Sequence, residues 1–308
     1  MSILVVGAGE LGLATLSALS AHPSRGTSKL AVLLRQETAT SSAPEKQEQI
    51  RKIRSFGVDI ETGDFINDPA ALVPIFKKYS VVIQCAGYGM APGTQLGVTK
   101  AVLEAGVPRY FPWQFGVDYE AIGAGSSQPL FDEMLSVRAL LRAQEKTAWT
   151  VVSTGLFMSY LFIPDFGVVD LENRTVRALG GWDNTVTVTN PEDIGVMVAD
   201  IVFNPRDTEN RVVYIGSDTI SYGQLADLLD GAFGLGLKRE EWKLEFLRGK
   251  LESDPENLWL KYQNIFAKGV GVSWPKEKTL NHQRGISLID VASYVEKNKA
   301  SFASKLGI

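Results

Sequence analysis

Short apolar runs alternate with longer amphipathic stretches along the first half of this chain. The apolar runs have the length and residue types of buried parallel strands, and the stretches between them have helical periodicity. This alternation predicts a parallel, doubly wound α/β sheet with helices on both faces. The predicted strands cover 3–6, 30–34, 58–62, 80–85, 107–111 and 149–153. The predicted helices cover 11–22, 44–56, 68–78, 94–105 and 130–145.

The alternation ends near residue 155, where a long apolar and aromatic segment begins. Strands then become short and loops more frequent, which is typical of a smaller mixed α/β lobe. We predict one domain at 1–155 and a substrate-binding lobe at 156–308, with 184–216 packing back on the first domain. The further predicted strands are 168–171, 175–179, 185–189 and 211–215, and the further helices are 191–203, 221–233, 239–251, 256–267 and 287–299.

The first predicted strand leads directly into a glycine turn, Gly7-x-Gly9-x-x-Gly12, and a helix follows at once. In this context Gly7 permits the tight turn, Gly9 lets the backbone approach a pyrophosphate, and Gly12 lets the helix pack closely on the strand. The helix N-terminus adds free N–H groups and the positive end of its dipole. The turn, including Glu10 and Leu11, therefore predicts a dinucleotide site in a Rossmann fold.

The end of the second predicted strand indicates which dinucleotide is bound. NAD-specific sites place an acidic residue there, about twenty positions after the glycines, to bind the ribose 2′-OH. This chain instead has Arg35, with Lys46 in the following helix. A guanidinium can bind a 2′-phosphate bidentately and a lysine adds a point charge. Both residues could also be plain solvated charges, but the pattern favours NADP(H) over NAD(H).

Composition narrows the class of function. The 308 residues are 45% hydrophobic and 21% charged, as in an ordinary globular protein. A net charge of −4 argues against a nucleic-acid partner, and one cysteine with two histidines argues against a metal site. No leader-like segment opens the chain and no apolar run approaches the length of a membrane span. We therefore expect a cytoplasmic protein, monomeric or homodimeric, that contacts no membrane.

Further segments carry a resemblance to a known family. They are Leu34-Arg35, Gly63-Asp64, the run Val81–Gly87, the element Phe111-Pro-x-x-Phe115-Gly116 and, more loosely, Pro191–Gly195. With the glycine turn, these segments resemble the NmrA-like and isoflavone-reductase-like branch of atypical short-chain reductases. The Phe-Pro-x-x-Phe-Gly element is the specific part of the resemblance. The family implies an NADPH-binding Rossmann domain with a smaller C-terminal substrate lobe.

The resemblance also implies roles for individual residues. It places the three glycines of the turn at the pyrophosphate, and Arg35 with Lys46 at the 2′-phosphate. The residues it places along the cofactor are Ala86, Gly87 and Phe115, and those near the nicotinamide are Gly155, Leu156 and Phe157.

One position departs from the family. Its reductases carry an active-site lysine three residues after a Phe, on the helix that follows the Phe-Gly loop, and Met134 occupies that position here. A thioether cannot donate a proton or polarise a carbonyl. The other short-chain motif, Tyr-x-x-x-Lys, does not occur. Either another residue supplies the proton, or NADP(H) is bound without this chemistry. The candidate donors are Tyr119, which we favour although it could equally be a packing residue, and Asp118, Asp132 and Tyr160.

Met134 allows a specific expectation. On a helix that begins near Leu130, Phe131 and Met134 share one face, which we expect to point towards the nicotinamide crevice. Because Asp132 and Glu133 are adjacent, Met134→Lys is expected to be tolerated, with at most a small gain in reductase activity.

Aromatic side chains at the start of the second lobe suggest the substrate. The set comprises Trp113, Phe157, Met158, Tyr160, Phe162, Phe166 and Trp182. It suits a planar apolar ligand better than a sugar or phosphate, although the same side chains would also suit a core. We predict an NADPH-dependent reductase of a small aromatic or polyketide-like carbonyl or enone from secondary metabolism. The alternatives are an NADP(H)-binding redox sensor that regulates a protein partner, and a non-redox isomerase or cyclase.

Overall fold

Parallel strands form the centre of the first half of the chain in the computed structural model, which describes residues 1–87 and 89–308. Within those residues the strands are β1 (Ser2–Val6), β2 (Lys29–Leu34), β3 (Asp59–Thr62), β4 (Val81–Gln84), β5 (Arg109–Phe111), β6 (Ala148–Ser153), β7 (Leu156–Phe157), β8 (Val169–Asp170), β9 (Thr175–Leu179), β10 (Thr185–Thr189), β11 (Arg211–Tyr214), β12 (Asp218–Ser221) and β13 (Lys238–Trp242).

The helices of the described residues follow the same numbering. They are α1 (Glu10–Ala21), α2 (Gln36–Ala39), α3 (Pro44–Ser55), α4 (Val73–Phe76), α5 (Thr94–Ala105), α6 (Tyr119–Ile122), α7 (Leu130–Arg142), α8 (Pro191–Phe203), α9 (Tyr222–Phe233), α10 (Leu244–Ser253), α11 (Leu258–Lys268), α12 (Leu280–Gln283), α13 (Val291–Lys297) and α14 (Lys299–Leu306). Short 3-10 turns occur at Pro23–Arg25, Pro69–Leu72, Met158–Phe162, Pro164–Phe166 and Lys276–Lys278.

The described chain divides into two compact units, each built from separate segments. Unit 1 comprises Met1–Phe115, Glu133–Val152 and Pro191–Val213. Unit 2 comprises Gly116–Asp132, Ser153–Asn190 and Tyr214–Ile308.

Unit 1 is organised around a sheet whose strand order, over the described residues, is β11-β6-β5-β4-β1-β2-β3. Each pairing among β1 to β6 is parallel. The predicted doubly wound fold is therefore confirmed, since the order 3-2-1-4-5-6 is that of a Rossmann sheet. The order reverses between β1 and β4, and ligands of such sheets bind outside the carboxyl ends of the strands at that point.

Helices cover this sheet closely. Leu4, Val6 and Leu33 are fully buried in the core of unit 1, beside Val82 of β4. Helix α8 packs on α1 so tightly that a Cβ at Gly195 would lie 2.5 Å from the carbonyl oxygen of Ala14. The close approach of these helices therefore depends on glycine at that position.

Unit 2 contains, within the described residues, two small sheets with the orders β12-β10-β7 and β13-β9-β8. Its core is rich in aromatic contacts. Phe162 stacks on Phe302 with ring centroids 4.5 Å apart, and Phe166 meets Phe266 edge to face at 5.4 Å. Such pairs add stability beyond the area they bury.

Two predicted helices are wrong in part. Residues 239–251 were expected to form one helix, but β13 (Lys238–Trp242) precedes α10 and pairs in parallel with β9. Its Lys, Arg and Glu residues favour helices when isolated, and pairing with β9 overrides that preference. The predicted helix 68–78 is a 3-10 turn followed by the single turn α4. Pro74 lies in the first turn of α4 and cannot continue a helix from the preceding residues.

Candidate functional site

Backbone packing explains two of the three glycines in the turn after β1. Gly7 has φ of +87° and its N–H donates to the carbonyl oxygen of Leu33 at 3.0 Å. A Cβ at Gly7 would lie 2.6 Å from the Cβ of Ala86, and one at Gly12 would lie 2.2 Å from the carbonyl oxygen of Gly7. Any side chain at either position would push α1 away from the strand ends.

Gly9 has a different environment. A Cβ there would meet no protein atom within 4 Å. Gly9 is the N-cap of α1, and no side chain caps this helix end. The first N–H groups of the helix therefore face open space at the strand ends, which is the arrangement that binds the phosphates of a dinucleotide. The residues present fit this group.

Glu10 and Leu11 complete the turn in different ways. Leu11 is buried, so only its backbone can contribute to a phosphate site. Burial, and then the negative charge of Glu192, raise the pKa of the Glu10 carboxyl. Glu10 thus adds an unfavourable charge at the helix end where phosphate would bind.

Arg35 lies at the carboxyl end of β2 and caps α2. Its Nη1 is 2.9 Å from a carboxylate oxygen of Glu37, and the Arg35 side chain is 42% exposed. Arg35 also helps to lower the pKa of Asp64, after the larger effect of hydrogen bonds from Asn67. An exposed ion pair of this kind contributes little, so a phosphate can replace Glu37 at the guanidinium. Lys46 is exposed in the first turn of α3.

Gln49 is a residue of this region that sequence reasoning missed. Its Nε2 donates to the carbonyl oxygen of Ala8 in the glycine turn. Its Oε1 is buried and has no hydrogen-bond partner among the described residues. The bond to Ala8 connects α3 to the glycine turn. The sequence pattern could have indicated Gln49, because it follows Lys46 by three positions and therefore lies on the same face of the helix.

The end of β4 lies beside the glycine turn and is held by two buried glutamines. Gln84 and Gln95 donate from Nε2 to the carbonyl oxygen of Ala86 at 3.1 and 3.2 Å. A Cβ at Gly87 would lie 2.0 Å from the indole of Trp113, so Trp113 packs directly on this backbone. Ala86 and Gly87 therefore lie at the predicted cofactor crevice. Gln84 was detectable as a polar residue inside an apolar run.

Trp113 and Phe115 belong to the Phe-Pro-x-x-Phe-Gly element after β5. Trp113, predicted for the substrate pocket, is partly exposed and covers Gly87 in unit 1, while Phe115 is buried. Gln114, between them, is fully buried. Its Nε2 donates to the main-chain oxygen of Met134 at 2.9 Å, and its Oε1 accepts from Nε of Arg138 at 2.7 Å. Gln114 thereby ties the loop to α7.

Met134 itself is fully buried. The neighbouring Glu133 carboxylate accepts three hydrogen bonds from the N-terminus of α5, from the N–H groups of Gly93, Gln95 and Leu96 at 2.9, 2.8 and 3.1 Å. Glu133 is thus engaged as a helix cap. The expected tolerance of Met134→Lys depends on a carboxylate that can pair with the new lysine. Because the Glu133 carboxylate is already bonded to the N-terminus of α5, the structure instead favours a loss of stability in this variant.

Among the proposed proton donors, Tyr119 is distinguished by its position at the start of α6. A Cβ at Gly116 would lie 2.5 Å from the Tyr119 hydroxyl, so that hydroxyl lies against the backbone of the Phe-Gly loop. The two aspartates make structural hydrogen bonds. Asp118 accepts from the N–H of Ala121 and from the Tyr214 hydroxyl at 2.6 Å, and Asp132 accepts from the N–H of Gly125 at 2.9 Å.

Aromatic side chains form a connected group in unit 2. Phe157 lies 5.7 Å from Tyr160, and Tyr160 lies 6.3 Å from Trp259, measured between ring centroids. Phe131 contacts both Tyr119, at 4.8 Å, and Tyr262, at 5.9 Å. Trp259 and Tyr262 are three positions apart on α11 and connect the two sets. We name Phe157, Tyr160, Trp259 and Tyr262, all partly exposed, the aromatic row.

Sequence reasoning identified only half of the aromatic row. Trp259 and Tyr262 were missed, although their spacing places them on one face of a predicted helix. Conversely, Met158 is fully buried and Phe162 stacks in the core, so neither is exposed to a ligand. Trp182 is partly exposed beneath the guanidinium of Arg239, 6.0 Å from its ring.

Gly155 and Leu156, expected near the nicotinamide, have clear structural roles in unit 2. Gly155 has φ of +71°, and a Cβ there would lie 2.1 Å from the carbonyl oxygen of Thr187. Leu156 is buried and pairs with Val188 in the short parallel ladder of β7 and β10.

The only cysteine of the sequence, Cys85, is buried. Burial raises the pKa of the Cys85 thiol to about 12, so this cysteine is not a thiolate nucleophile. Residues 1–87 and 89–308 contain no cluster of three or more His, Cys, Asp or Glu side chains arranged to hold a metal ion. Over the same ranges no helix combines the length and apolar character needed to cross a membrane.

The strand order, the open helix end at Gly9 and the Phe-Gly loop define a Rossmann protein of the short-chain reductase type. The model of the NmrA-like family matches residues 1–267, and the chain belongs to this family.

The sequences of curated relatives support the same family. An NmrA-like family domain-containing oxidoreductase of Gibberella moniliformis (strain M3125 / FGSC 7600) is 50% identical over 297 residues, covering 96% of this chain and 97% of the relative.

More distant similarities extend to plant reductases. A phenylcoumaran benzylic ether reductase of Pyrus communis is 32% identical over 215 residues, covering 68% of each chain. The solved binary complex of leucoanthocyanidin reductase with NADPH from Vitis vinifera has a TM-score of 0.80 at 19% identity and covers 100% of both chains. At this identity the structural likeness is one of fold.

Proposed function

We propose that this protein is an NADPH-dependent reductase. The observation that carries the proposal is the open space at Gly9, before an uncapped helix end and beside the carboxyl ends of β1 and β4. Arg35 and Lys46 supply the positive charge that a 2′-phosphate requires. Family membership and the NADPH complex of leucoanthocyanidin reductase support the same cofactor.

The substrate that we propose is a small aromatic or polyketide-like carbonyl or enone. The aromatic row supports this class because its members are partly exposed and present flat apolar faces. Rings of this kind bind planar ligands by stacking and edge-to-face contact. Two of the similar proteins also have names that refer to aromatic compounds, the phenylcoumaran benzylic ether reductase and the leucoanthocyanidin reductase.

When bound, NADPH supplies a hydride to the electrophilic carbon of the substrate. The protein then needs a proton for the oxygen that gains charge, or for the α-carbon of an enone. We assign this role to the phenol of Tyr119, since its hydroxyl lies against the Gly116 backbone in the Phe-Gly loop. A phenol can donate to a developing alkoxide, and general acids of this kind contribute roughly 10²–10⁴-fold to the rate.

The test is NADPH oxidation by the purified protein against a panel of aromatic ketones and enones, with products examined by mass spectrometry. We expect consumption of NADPH with a product that has gained two hydrogen atoms. Tyr119→Phe should lower kcat at least tenfold and leave NADPH affinity unchanged. NADPH that binds but is not consumed by any panel member would contradict the proposal.

A second function is favoured by one observation, the complete burial of Met134 at the position of the family's lysine. In this alternative the protein binds NADP(H) and reports the redox state to a protein partner. It predicts that NADP+ and NADPH both bind, that no panel substrate is reduced, and that one partner protein binds one cofactor form at least tenfold more tightly.

A further inference from the structure

Unit 2 contains an open cavity of about 460 Å³, and of the four members of the aromatic row only Trp259 belongs to its lining. Its lining comes from β13, α10, α11 and the segment before Phe166. This volume lies within the roughly 300–1,000 Å³ typical of small-molecule sites. Two indoles, Trp242 and Trp259, contribute its flat apolar surfaces, and both are partly exposed.

Two carboxylates and a buried amide belong to the polar part of the lining, together with Lys250, Ser253 and Asn257. Asp165 and Asp254 contribute carboxylates, and both side chains are exposed. Gln263 is only 3% exposed, and its Oε1 has no hydrogen-bond partner among the described residues. Its Nε2 donates to the main-chain oxygens of Asp165 and Phe166, at 3.3 and 3.0 Å. The lining therefore suits a ligand that donates several hydrogen bonds.

Positive charge at the cavity argues against a cationic ligand. The Lys250 ammonium lines the cavity and lies 5.4 Å from the ring centroid of Trp242, without an ion pair in the part of the chain that the structure describes. The Arg177 guanidinium lies 5.0 Å from the same ring and pairs with the carboxylates of Asp170 and Glu240. Because Lys250 and Arg177 already lie near the Trp242 ring, a cationic ligand would have to displace one of them to stack there.

We propose that this cavity binds a sugar ring. A pyranose has a flat C–H face that stacks on an indole, and its hydroxyl groups donate to carboxylate and amide oxygens. Trp259 provides the indole, Asp165 and Asp254 accept hydroxyl hydrogens, and Lys250 donates to a ligand oxygen. The sugar can be free, or it can be the glycosyl group of an aromatic glycoside, since Trp259 also belongs to the aromatic row.

The test is titration of the protein, without cofactor, with methyl glucoside and methyl galactoside, followed by tryptophan fluorescence and ligand-observed NMR. We expect saturable binding of at least one sugar. Asp165→Asn, at an exposed position that leaves folding intact, should weaken that binding at least fivefold, and Lys250→Met should weaken it to a similar degree. Trp182→Ala is the matched control, because this partly exposed tryptophan does not line the cavity, and it should leave the affinity unchanged.

A second titration with phenyl glucoside distinguishes the two sources of sugar. Equal affinity for methyl and phenyl glucoside indicates a free sugar. Phenyl glucoside binding at least tenfold tighter, with that gain lost in Tyr160→Leu, indicates an aromatic glycoside. The proposal fails if no sugar binds, if tetramethylammonium binds more tightly than every sugar, or if Asp165→Asn and Lys250→Met bind sugar like the wild type. None of these results depends on whether the protein reduces a substrate.

Discussion

The glycine turn and the position of Met134 belong to the two parts of the proposed reductase, cofactor binding and chemistry, and the sequence encodes these two parts in different ways. The turn depends on backbone geometry, because side chains at Gly7 or Gly12 would collide with neighbouring atoms. The proposed chemistry depends on single side chains, and the position that the resemblance assigns to a lysine holds the buried thioether of Met134. The spacing of glycines in the sequence is therefore enough to predict the cofactor turn. Prediction of the chemistry also requires knowledge of which side chains contact one another in the folded protein.

Under the proposed function, this difference separates the residues that bind the cofactor from those that determine the reaction. Main-chain N–H groups at the end of α1 can hold phosphates whatever side chains lie at the opposite end of the cofactor. The contacts of Gln114 and Glu133 hold the backbone around Met134 through groups other than its own side chain. We therefore expect a substitution of the Met134 side chain to leave the backbone of the cofactor site unchanged.

The largest effect is expected from Met134→Lys. The side chain is fully buried, and the Glu133 carboxylate already accepts three main-chain hydrogen bonds. Burial of an unpaired ammonium should lower the free energy of unfolding by about 3 kcal/mol or more. Chemical denaturation measures this loss. Met134→Leu is the control and should remain within about 1.5 kcal/mol of the wild type. A stable Met134→Lys protein would instead show that a partner for lysine exists at this site.

Gly12→Ala and Gly9→Ala form a matched pair that tests the glycine turn. A Cβ at Gly12 would lie 2.2 Å from a backbone oxygen, so this variant should lose about 1–3 kcal/mol of stability. A Cβ at Gly9 meets no protein atom within 4 Å, so that variant should lose less than about 1 kcal/mol, the cost of alanine in place of glycine at an N-cap. Its methyl group would occupy the space of the pyrophosphate, and NADPH affinity should fall at least tenfold. Thermal unfolding and NADPH titration separate the two effects, and unchanged binding in Gly9→Ala would contradict the proposed phosphate site.

Much of the fold follows from the sequence because apolar runs and glycine or proline boundaries are local signals. Strands β1 and β2 begin one residue before their predicted start, and α5 has its predicted limits. The strand β13 could not be predicted, because its charged residues pair with β9, which is distant in sequence. Gln49, Trp259 and Tyr262 were missed for a similar reason, since their roles arise from tertiary contacts rather than from a motif.

Arg35→Ala should have an intermediate effect, confined to one cofactor. A charge-assisted contact with phosphate contributes roughly 1.5–3 kcal/mol, so NADPH affinity should fall about tenfold or more and NADH affinity should not change. Arg51→Ala on α3 is the control, because that exposed guanidinium pairs with Glu48. Isothermal titration with both cofactors measures the difference. Equal losses for NADPH and NADH would show that Arg35 does not bind the 2′-phosphate.

The smallest effect is expected from Glu10→Gln, and it depends on pH. Burial, and then Glu192, raise the pKa of Glu10 in the folded protein. The folded state therefore holds this proton more tightly than the unfolded chain, so the stabilisation is complete at low pH and is lost as pH rises through the raised pKa. Relative to the wild type, Glu10→Gln should gain stability between about pH 4 and pH 7, by less than about 1 kcal/mol because the residue is exposed to solvent. Unfolding in denaturant at both pH values measures this gain.

Glu192→Gln is the control, because it removes only the smaller cause of the raised Glu10 pKa, the negative charge of Glu192. It should reduce the pH dependence of stability without abolishing it. The Glu10→Gln variant should also bind NADPH slightly more tightly at pH 7, since one negative charge leaves the phosphate end of α1. A Glu10→Gln protein with the same stability difference from the wild type at both pH values would show that burial of this carboxyl has no energetic consequence.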